Sequence, residues 1–165
     1  MGNRVIAVVA LGSNLGDRQA HLDRAIAQLA RHLSSLRVSS VHETDPVGVP
    51  GDQPRFLNAV AVGETTLDAR AVLSELMEIE REAGRERPYA GAARTLDLDL
   101  ILFGDVIIDQ PQLTVPHPRF RERRFVLEPL VEIAPGLQDP VTGRTVAELL
   151  GGLPRMENGE YGGNG

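Results

Sequence analysis

The sequence predicts an α+β fold in which helices pack against a sheet. Four short apolar segments have the length and composition of strands, at residues 4–11, 36–43, 56–65 and 96–103. Two segments with apolar residues at helical spacing follow the first and the third of them. This order offers too few helices to cover both faces of a sheet. It therefore favours a ferredoxin-like split βαβ sandwich with additional short strands and C-terminal helical segments.

The first strand leads into a glycine-rich turn. Residues 4–11 are rich in valine, and the turn GSNLGD follows at 12–17. Asp17 or Asn14 is expected to cap the next helix. A turn of this kind can bind phosphate, although it lacks the G-x-G-x-x-G spacing. Because a turn and a cap account for every residue, we favour a structural role and keep ligand binding as the alternative.

A loop and a well-buried strand occupy the middle of the chain. Residues 36–43 alternate only imperfectly between apolar and polar side chains, and 44–54 contain three prolines and two glycines, which is typical of a loop. Residues 56–65 alternate well and predict a buried strand. Asn58 lies within that strand, and a buried amide needs partners from either the backbone or a ligand. The sequence leaves both sources open.

The second half begins with a helix and a basic loop. Thr66 is expected to cap a helix over residues 67–83, which Gly84 ends. The loop 85–94 contains three arginines and leads into the strand at 96–103.

Shorter elements follow this strand. An apolar piece at 106–108 favours a minor hairpin strand, and 145–150 favour a last helical turn. Prolines at 129, 135 and 140 interrupt the chain between them. We expect one domain over residues 1–150 and a flexible C-terminal tail over 151–165.

Two aspartates in the last long strand are the strongest sign of chemistry. Asp97 and Asp99 alternate with leucines, so both side chains project from one face of the strand. Aspartate is a poor strand former, and two carboxylates held this close repel each other unless cations lie near them. The pair could simply decorate a solvated face, but we favour a metal site. Hard oxygen ligands on a rigid strand suit Mg²⁺.

Composition limits the classes of function. The net charge of −6 argues against a general nucleic-acid-binding protein, and no apolar run is long enough to span a bilayer. The chain has no cysteine and no lysine, which excludes thiolate chemistry, a P-loop lysine and a Schiff base. Phosphate must then be held by arginine, backbone N–H groups or metal. The N-terminus lacks the pattern of a signal peptide, so a cytoplasmic location is expected.

Taken together, four motifs resemble the 6-hydroxymethyl-7,8-dihydropterin pyrophosphokinase family of folate biosynthesis, over residues 5–135. The motifs are RTLDLD at 94–99, LTVPH at 113–117, GSNLG at 12–16, and the pair ET at 43–44 with FLNA at 56–59. Each alone is weak, but their order and spacing together are specific. The resemblance implies a ferredoxin-like fold, transfer of pyrophosphate from ATP to the pterin hydroxymethyl oxygen with release of AMP, two Mg²⁺ ions and a monomer.

The resemblance also implies roles for individual residues. Asp97 and Asp99 would bridge the two ions. The ATP side would comprise Glu80, Arg85, Arg87, Arg94, His117 and Arg123, of which Arg85, Arg87 and Arg94 contact the triphosphate. On the pterin side, Asn58 would bind the ring edge, Phe56 and Phe125 would sandwich its faces, and Thr44, Asp45 and Val47 would offer backbone groups.

The chain departs from this family in the arginine loop. The loop has no tryptophan, with Gly91 near the usual position, and Ala90 replaces a usual basic residue. Met77 replaces a common glutamine, the loop is a residue short, and Tyr89 could serve as a substitute cover. We therefore expect altered loop closure with the chemistry retained.

Purely structural roles for several of these residues, and two other functions for the whole chain, remain as alternatives. Arg119, Arg121 and Arg124 are interpreted as a solvated helical turn, and His117 between two prolines could merely fix its loop. Phe56 and Phe125 could belong to the core. Another metal-dependent nucleotide enzyme, or a non-catalytic ferredoxin-like regulatory module, would also fit parts of the pattern.

Overall fold

The secondary structure follows the predicted alternation of strands and helices. A computed structural model of the protein describes residues 3–45, 54–84 and 95–154. Its strands are β1 Val5–Ser13, β2 Ser34–Val38, β3 His42–Thr44, β4 Phe56–Thr65, β5 Asp97–Phe103, β6 Ile108–Gln110 and β7 Leu113–Val115. Its helices are α1 Arg18–Leu29, α2 Ala69–Glu82, α3 Arg124–Ile133 and α4 Val146–Gly151, with a 3₁₀ turn at Phe120–Glu122.

Five strands form one antiparallel sheet with the order β2–β4–β1–β5, and β3 pairs with β4 beside β2. Strand β4 is thus inserted between β1 and β2, which α1 connects, and β1 is inserted between β4 and β5, which α2 connects. This is the split βαβ arrangement, so the predicted ferredoxin-like sandwich is confirmed.

One face of the sheet packs against α1 and α2. Alternate residues of β1, β4 and β5 point to this face, among them Val9, Ala61 and Leu100. They meet the apolar stripes of the two helices, including Leu22 and Leu76, which are almost completely buried. Burial of these side chains is the main force that holds both helices on the sheet.

The opposite face packs against α3 and α4, so the expectation of too few helices for both faces is wrong. Val8, Val60 and Ile101 are fully buried there against the C-terminal segments. The sequence argument failed because Pro129 was taken as an interruption, whereas it lies inside α3. Pro129 removes one backbone N–H donor from α3. The helix is nevertheless stabilised because its apolar face, which includes Leu127, is buried against the sheet.

The helix termini confirm one expected cap and correct another. Asp17 caps α1 by accepting a hydrogen bond from the Ala20 N–H, which confirms Asp17 of the two residues expected to cap this helix, Asp17 and Asn14. For α2 the expected cap, Thr66, is wrong, because Asp68 accepts from the Ala71 N–H at 2.8 Å. Thr145 forms a reciprocal capping box with Glu148 at the start of α4.

The shorter strands also differ from expectation. The segment 36–43 forms two strands, β2 and β3, which both pair with the long strand β4. The minor strand expected at 106–108 begins two residues later, as β6 at Ile108–Gln110. The sequence did not predict β7, the strand with which β6 forms a hairpin. Gly84 follows α2 with a positive φ of 76°, which suits glycine at a helix end.

Arg121 and Arg124 are anchored rather than freely solvated, so the interpretation as a solvated turn is wrong for both. The Arg121 guanidinium binds Asp139, whose side chain is fully buried. Burial raises the pKa of Asp139, but hydrogen bonds from Arg121, Thr142 and the Val141 N–H outweigh it and lower that pKa to about 2. Arg124 donates to the Pro154 carbonyl at 2.6 Å, and its side chain is only 15% exposed.

Within the described residues, no helix combines the length and the apolar character that crossing a lipid bilayer requires.

Candidate active site

Strand β5 presents the two aspartates as the sequence predicts. Asp97 lies opposite Gly12 and Asp99 opposite Ala10, across the ladder between β5 and β1. Both aspartates are half-buried, whereas Leu98 and Leu100 between and after them are buried on the other face. The alternation therefore places both carboxylates on the α3 side of the sheet, close to the edge that β5 forms.

Arg123 and His117 face these carboxylates from the segment before α3. Burial lowers the pKa of the Arg123 guanidinium, while Asp99 and Asp97 act in the opposite direction through their charge. Asp97 likewise acts on the His117 ring. The backbone N–H of His117 donates to the Ile101 carbonyl at 2.9 Å, which fixes its segment along the outer edge of β5. The site thus joins two acidic and two nitrogen-bearing side chains.

His117 is held as a neutral imidazole. Burial lowers its pKa to about 4, assisted by the charges of Arg123 and Arg119, although Asp97 raises it. Its Nδ1 accepts a hydrogen bond from the Arg119 N–H at 3.2 Å, so the ring proton of the neutral form lies on Nε2. His117 therefore offers one N–H donor at neutral pH and carries no charge.

This protonation state predicts a pH-dependent stability. The pKa in the folded protein, about 4, is below the ordinary value of 6.5, so the stabilisation is complete above pH 6.5 and is lost as pH falls towards 4. Without nucleotide, wild type should lose about 1–2 kcal/mol more unfolding free energy than His117→Gln between pH 7.5 and 5, because solvent screens part of the effect on a half-buried ring. Urea unfolding at both pH values measures this. Equal losses in the two proteins would contradict the prediction.

Glu80 reaches the same strand from α2. It is buried, and its carboxylate accepts a hydrogen bond from the Leu98 N–H at 2.7 Å. That N–H lies between Asp97 and Asp99 and points away from β1, since β5 is an edge strand. Glu80 therefore satisfies an edge donor and fixes the backbone that carries both aspartates.

A second group of predicted residues lies at the β3–β4 end of the same face. The Asn58 amide donates to the Thr44 hydroxyl at 2.6 Å, a side-chain partner that the sequence argument had not considered. Phe56, directly opposite Thr44, is only half-buried. Phe125 is also half-buried, and the Arg123 guanidinium lies 5.4 Å from its ring centre. Neither phenylalanine is fully enclosed in the core.

Sequence reasoning missed an ion network beside these residues. Arg18 donates to Glu43 at 2.9 Å and to the Arg55 carbonyl at 2.6 Å. Arg55 in turn binds Asp45 at 2.9 Å and Glu43 at 3.4 Å. The network links α1 to the ends of β3 and β4, next to Thr44 and Phe56. It was missed because the partners are 25 or more residues apart or flank a loop.

Two buried polar atoms without hydrogen-bond partners lie beside the site. Within the described ranges such atoms are Ser13 Oγ, His21 Nδ1, Thr95 Oγ1 and Arg123 Nε. Thr95 directly precedes β5 and Arg123 faces the aspartates, whereas Ser13 alternates onto the α1–α2 face of the sheet. Buried groups of this kind are normally satisfied, which indicates that a polar ligand or water completes the site.

The structure brings together most of the predicted site residues that it describes. One end holds Glu80, Asp97, Asp99, His117 and Arg123, with the Phe125 ring beside Arg123, and the other holds Thr44, Asp45, Phe56 and Asn58. Val47, Arg85, Arg87 and Arg94 lie outside the described residues. Where the structure describes the chain, no three acidic, histidine or cysteine side chains converge as a complete metal cage. Two carboxylates on one face still fit Mg²⁺, which takes most ligands from water and substrate phosphate.

Comparison with known proteins identifies relatives over most of the chain. Residues 8–135 match the family model described as 7,8-dihydro-6-hydroxymethylpterin-pyrophosphokinase. The 2-amino-4-hydroxy-6-hydroxymethyldihydropteridine pyrophosphokinase of Bacillus subtilis is 45% identical over 139 residues, covering 83% of each chain. The enzyme of that name from Pseudomonas aeruginosa is 43% identical over 148 residues, covering 88% of this chain and 90% of the relative.

Solved structures agree on the fold. Wild-type HPPK-DHPS of Plasmodium falciparum with pteroate matches 92% of this chain with a TM-score of 0.71 at 16% identity. The chain spans only 42% of the length of that protein, so this likeness concerns one part of it. The match along residues 8–135 and the identity to full-length relatives carry the assignment: the chain belongs to the 7,8-dihydro-6-hydroxymethylpterin-pyrophosphokinase family.

Proposed function

We propose that this protein transfers a pyrophosphoryl group from ATP to 6-hydroxymethyl-7,8-dihydropterin and releases AMP, as a step of folate biosynthesis. One observation supports this most directly. In a chain of this family, two carboxylates on one strand face meet a half-buried arginine and a neutral histidine. Such a site suits the transfer of a charged phosphate group, for which positioning and charge neutralisation supply most of the catalysis.

The proposed reaction is an in-line displacement at the β-phosphorus of ATP. The pterin hydroxymethyl oxygen forms a bond to the β-phosphorus, and the bond from that phosphorus to the oxygen bridging to the α-phosphorus breaks. AMP leaves with that oxygen, and the hydroxyl proton passes to solvent. We propose Asp97 and Asp99 as ligands of two Mg²⁺ ions, which would supply charge neutralisation at the transferring group.

The remaining residues of the site bind and orient the substrates in this proposal. Arg123 and the Nε2–H of His117 donate to phosphate oxygens, since both lie beside the aspartates and His117 carries no charge of its own. Arg85, Arg87 and Arg94 hold the triphosphate, as the family resemblance implies.

The pterin is proposed to lie at the other end of the site. Asn58 binds the edge of its ring and Phe56 and Phe125 contact its faces, while Thr44, Asp45 and Val47 supply backbone groups. The Asn58–Thr44 hydrogen bond fixes the amide that would bind the ring edge. We also retain a single domain over residues 1–150, a tail over 151–165 and a monomer as proposals.

An end-point assay tests this function. The protein is incubated with ATP, Mg²⁺ and 6-hydroxymethyl-7,8-dihydropterin, and AMP is separated from ADP. We expect AMP only when the pterin and the metal are both present. Formation of ADP would indicate transfer of a single phosphoryl group, and AMP formed without pterin would indicate another nucleotide reaction; either result would contradict the proposal.

A further inference from the structure

The sheet edge formed by β2 and β3 contains one residue more than the stretch of β4 with which it pairs. Val38 at the end of β2 lies opposite Ala61 on β4. Four residues further along the chain, His42 lies opposite Asn58, which is only three residues from Ala61. Residues 39–41 therefore form a β-bulge, a feature that bends an edge strand and often re-aims side chains next to active sites.

The extra residue changes the face of the sheet to which the edge presents its side chains. Before the bulge, Val38 packs on the face covered by α1 and α2. In a regular strand residues 42 and 44 would point to that same face, because the side-chain period is two. Instead they share the α3 face with Asn58, whose amide donates to the Thr44 hydroxyl. The contact between Thr44 and Asn58 thus depends on the bulge.

Glu132, near the end of α3, holds the bulge through its carboxylate. Its Oε1 accepts a hydrogen bond from the Ser40 N–H at 2.9 Å, and the Ser40 hydroxyl lies 2.9 and 2.8 Å from its two oxygens. The Ser40 N–H holds the pKa of Glu132 below its usual range, so the group is ionised at neutral pH. His42 Nε2 lies 2.5 Å from Oε2, and it donates because an ionised carboxylate can only accept. Three donors of the edge strand thus converge on one side chain of α3.

The same helix carries another residue proposed to contact the pterin. Phe125 precedes Glu132 by seven residues, or about two turns, so both side chains lie on the same side of α3. The Glu132 carboxylate therefore fixes the edge strand that carries Thr44 relative to the helix that carries Phe125. A planar ring that contacts both elements requires their separation to be fixed before it binds.

We propose that Glu132 is a positioning residue for this reaction: it holds the bulge at residues 39–41 and thereby sets the orientation in which Thr44 and Asn58 receive the pterin. This inference rests on the proposed function and concerns only the pterin end of the site. Glu132 acts through the edge strand, so its removal should affect the flat heterocyclic substrate and spare the triphosphate.

Glu132→Ala tests this role. We expect the Kd of 6-hydroxymethyl-7,8-dihydropterin, measured with a non-hydrolysable ATP analogue bound, to rise about tenfold, because Ser40 and His42 lose their shared acceptor. The pterin KM should rise with it. The kcat and the Kd for Mg·ATP without pterin should stay within about twofold, because β4 and β1 separate β3 from the aspartate strand β5.

Glu132→Gln should rescue most of this loss. Its amide oxygen can accept the hydrogen bond from the Ser40 N–H, so the pterin Kd should lie within about threefold of wild type. A side chain that merely contributed surface charge would not be rescued in this way.

Arg37→Met is the matched control. Arg37 on β2 donates to the Ile133 carbonyl at 2.6 Å, so it ties the same end of α3 to the same sheet edge, but ahead of the bulge. We expect this variant to lose thermal stability while its pterin Kd stays within about twofold of wild type.

Amide hydrogen exchange reads the bulge directly. In Glu132→Ala the Ser40 N–H and the amides that pair β3 with β4 should exchange faster than in wild type, whereas those that pair β1 with β5 should not change. In Arg37→Met the Ser40 N–H should keep its wild-type protection.

Three results would each overturn the inference alone, given a wild type that binds pterin. They are an unchanged pterin Kd in Glu132→Ala, an equal rise in the Kd of pterin and of Mg·ATP, and a loss of pterin affinity in Arg37→Met as large as that in Glu132→Ala. Wild type that neither binds nor uses pterin would overturn the proposed function and this inference with it.

Discussion

Asp97→Asn and Asp99→Asn are each expected to lower kcat by about a thousandfold or more. Each replacement keeps the size and register of the side chain and removes one negative charge from the face where both carboxylates stand. The remaining carboxylate would bind Mg²⁺ more weakly, and the charge of the transferring group would be less well neutralised. AMP release measured over a range of Mg²⁺ concentrations tests this, and higher Mg²⁺ should restore only part of the rate.

Asp109→Asn is a suitable control for this pair. Asp109 is exposed on β6, in a separate two-stranded sheet, so the variant loses the same charge outside the site. Its kcat should match that of wild type within experimental error, and all three variants should melt within a few degrees of wild type. If both strand variants retained at least a tenth of the wild-type kcat, the metal role of the pair would be refuted.

The fold could be predicted because its local signals agree with its tertiary structure. The two amphipathic helices and the alternating strands each specify a single buried face, and the order of the elements leaves few topologies. Asp97 and Asp99 could be placed on one face for the same reason, since the side-chain period of a strand is two. These inferences need only local periodicity.

Features that depend on pairing between distant segments could not be predicted. The row from Asn58 through Gly12 to Asp97 exists only because β1 lies between β4 and β5 in one particular register. The position of α3 was missed because a local breaker, Pro129, was given more weight than the apolar face around it. The Arg121–Asp139 pair was likewise invisible, because its effect depends on the burial of Asp139.

Glu80 illustrates how the structure adds a physical role to a residue chosen by resemblance. The sequence argument placed it on the ATP side, whereas the described contact is a hydrogen bond to the backbone between the two aspartates. Removing a buried acceptor while its donor remains costs about 1–3 kcal/mol. When Glu80 is the acceptor removed, we expect the strand that carries Asp97 and Asp99 to be displaced, because the Leu98 N–H must find another partner. Replacing Glu80 should therefore lower kcat more than it weakens the binding of Mg·ATP.

We expect Glu80→Leu to lower kcat by about ten- to a hundredfold and to reduce the melting temperature, because the Leu98 N–H loses its acceptor. Glu80→Gln should retain most of the activity, since its amide oxygen can accept the same hydrogen bond. Steady-state kinetics for both substrates, together with the Kd for Mg·ATP, separate an effect on kcat from one on binding.

Glu82→Leu provides the matched control, because Glu82 lies on the same last turn of α2 and is exposed. It should leave kcat unchanged. If Glu80→Gln lost as much activity as Glu80→Leu, the charge of Glu80 would matter more than its hydrogen bond to Leu98. If both variants weakened Mg·ATP binding at unchanged kcat, Glu80 would act on the nucleotide itself. Loss of kcat confined to Glu80→Leu would identify it as the residue that positions the aspartate strand.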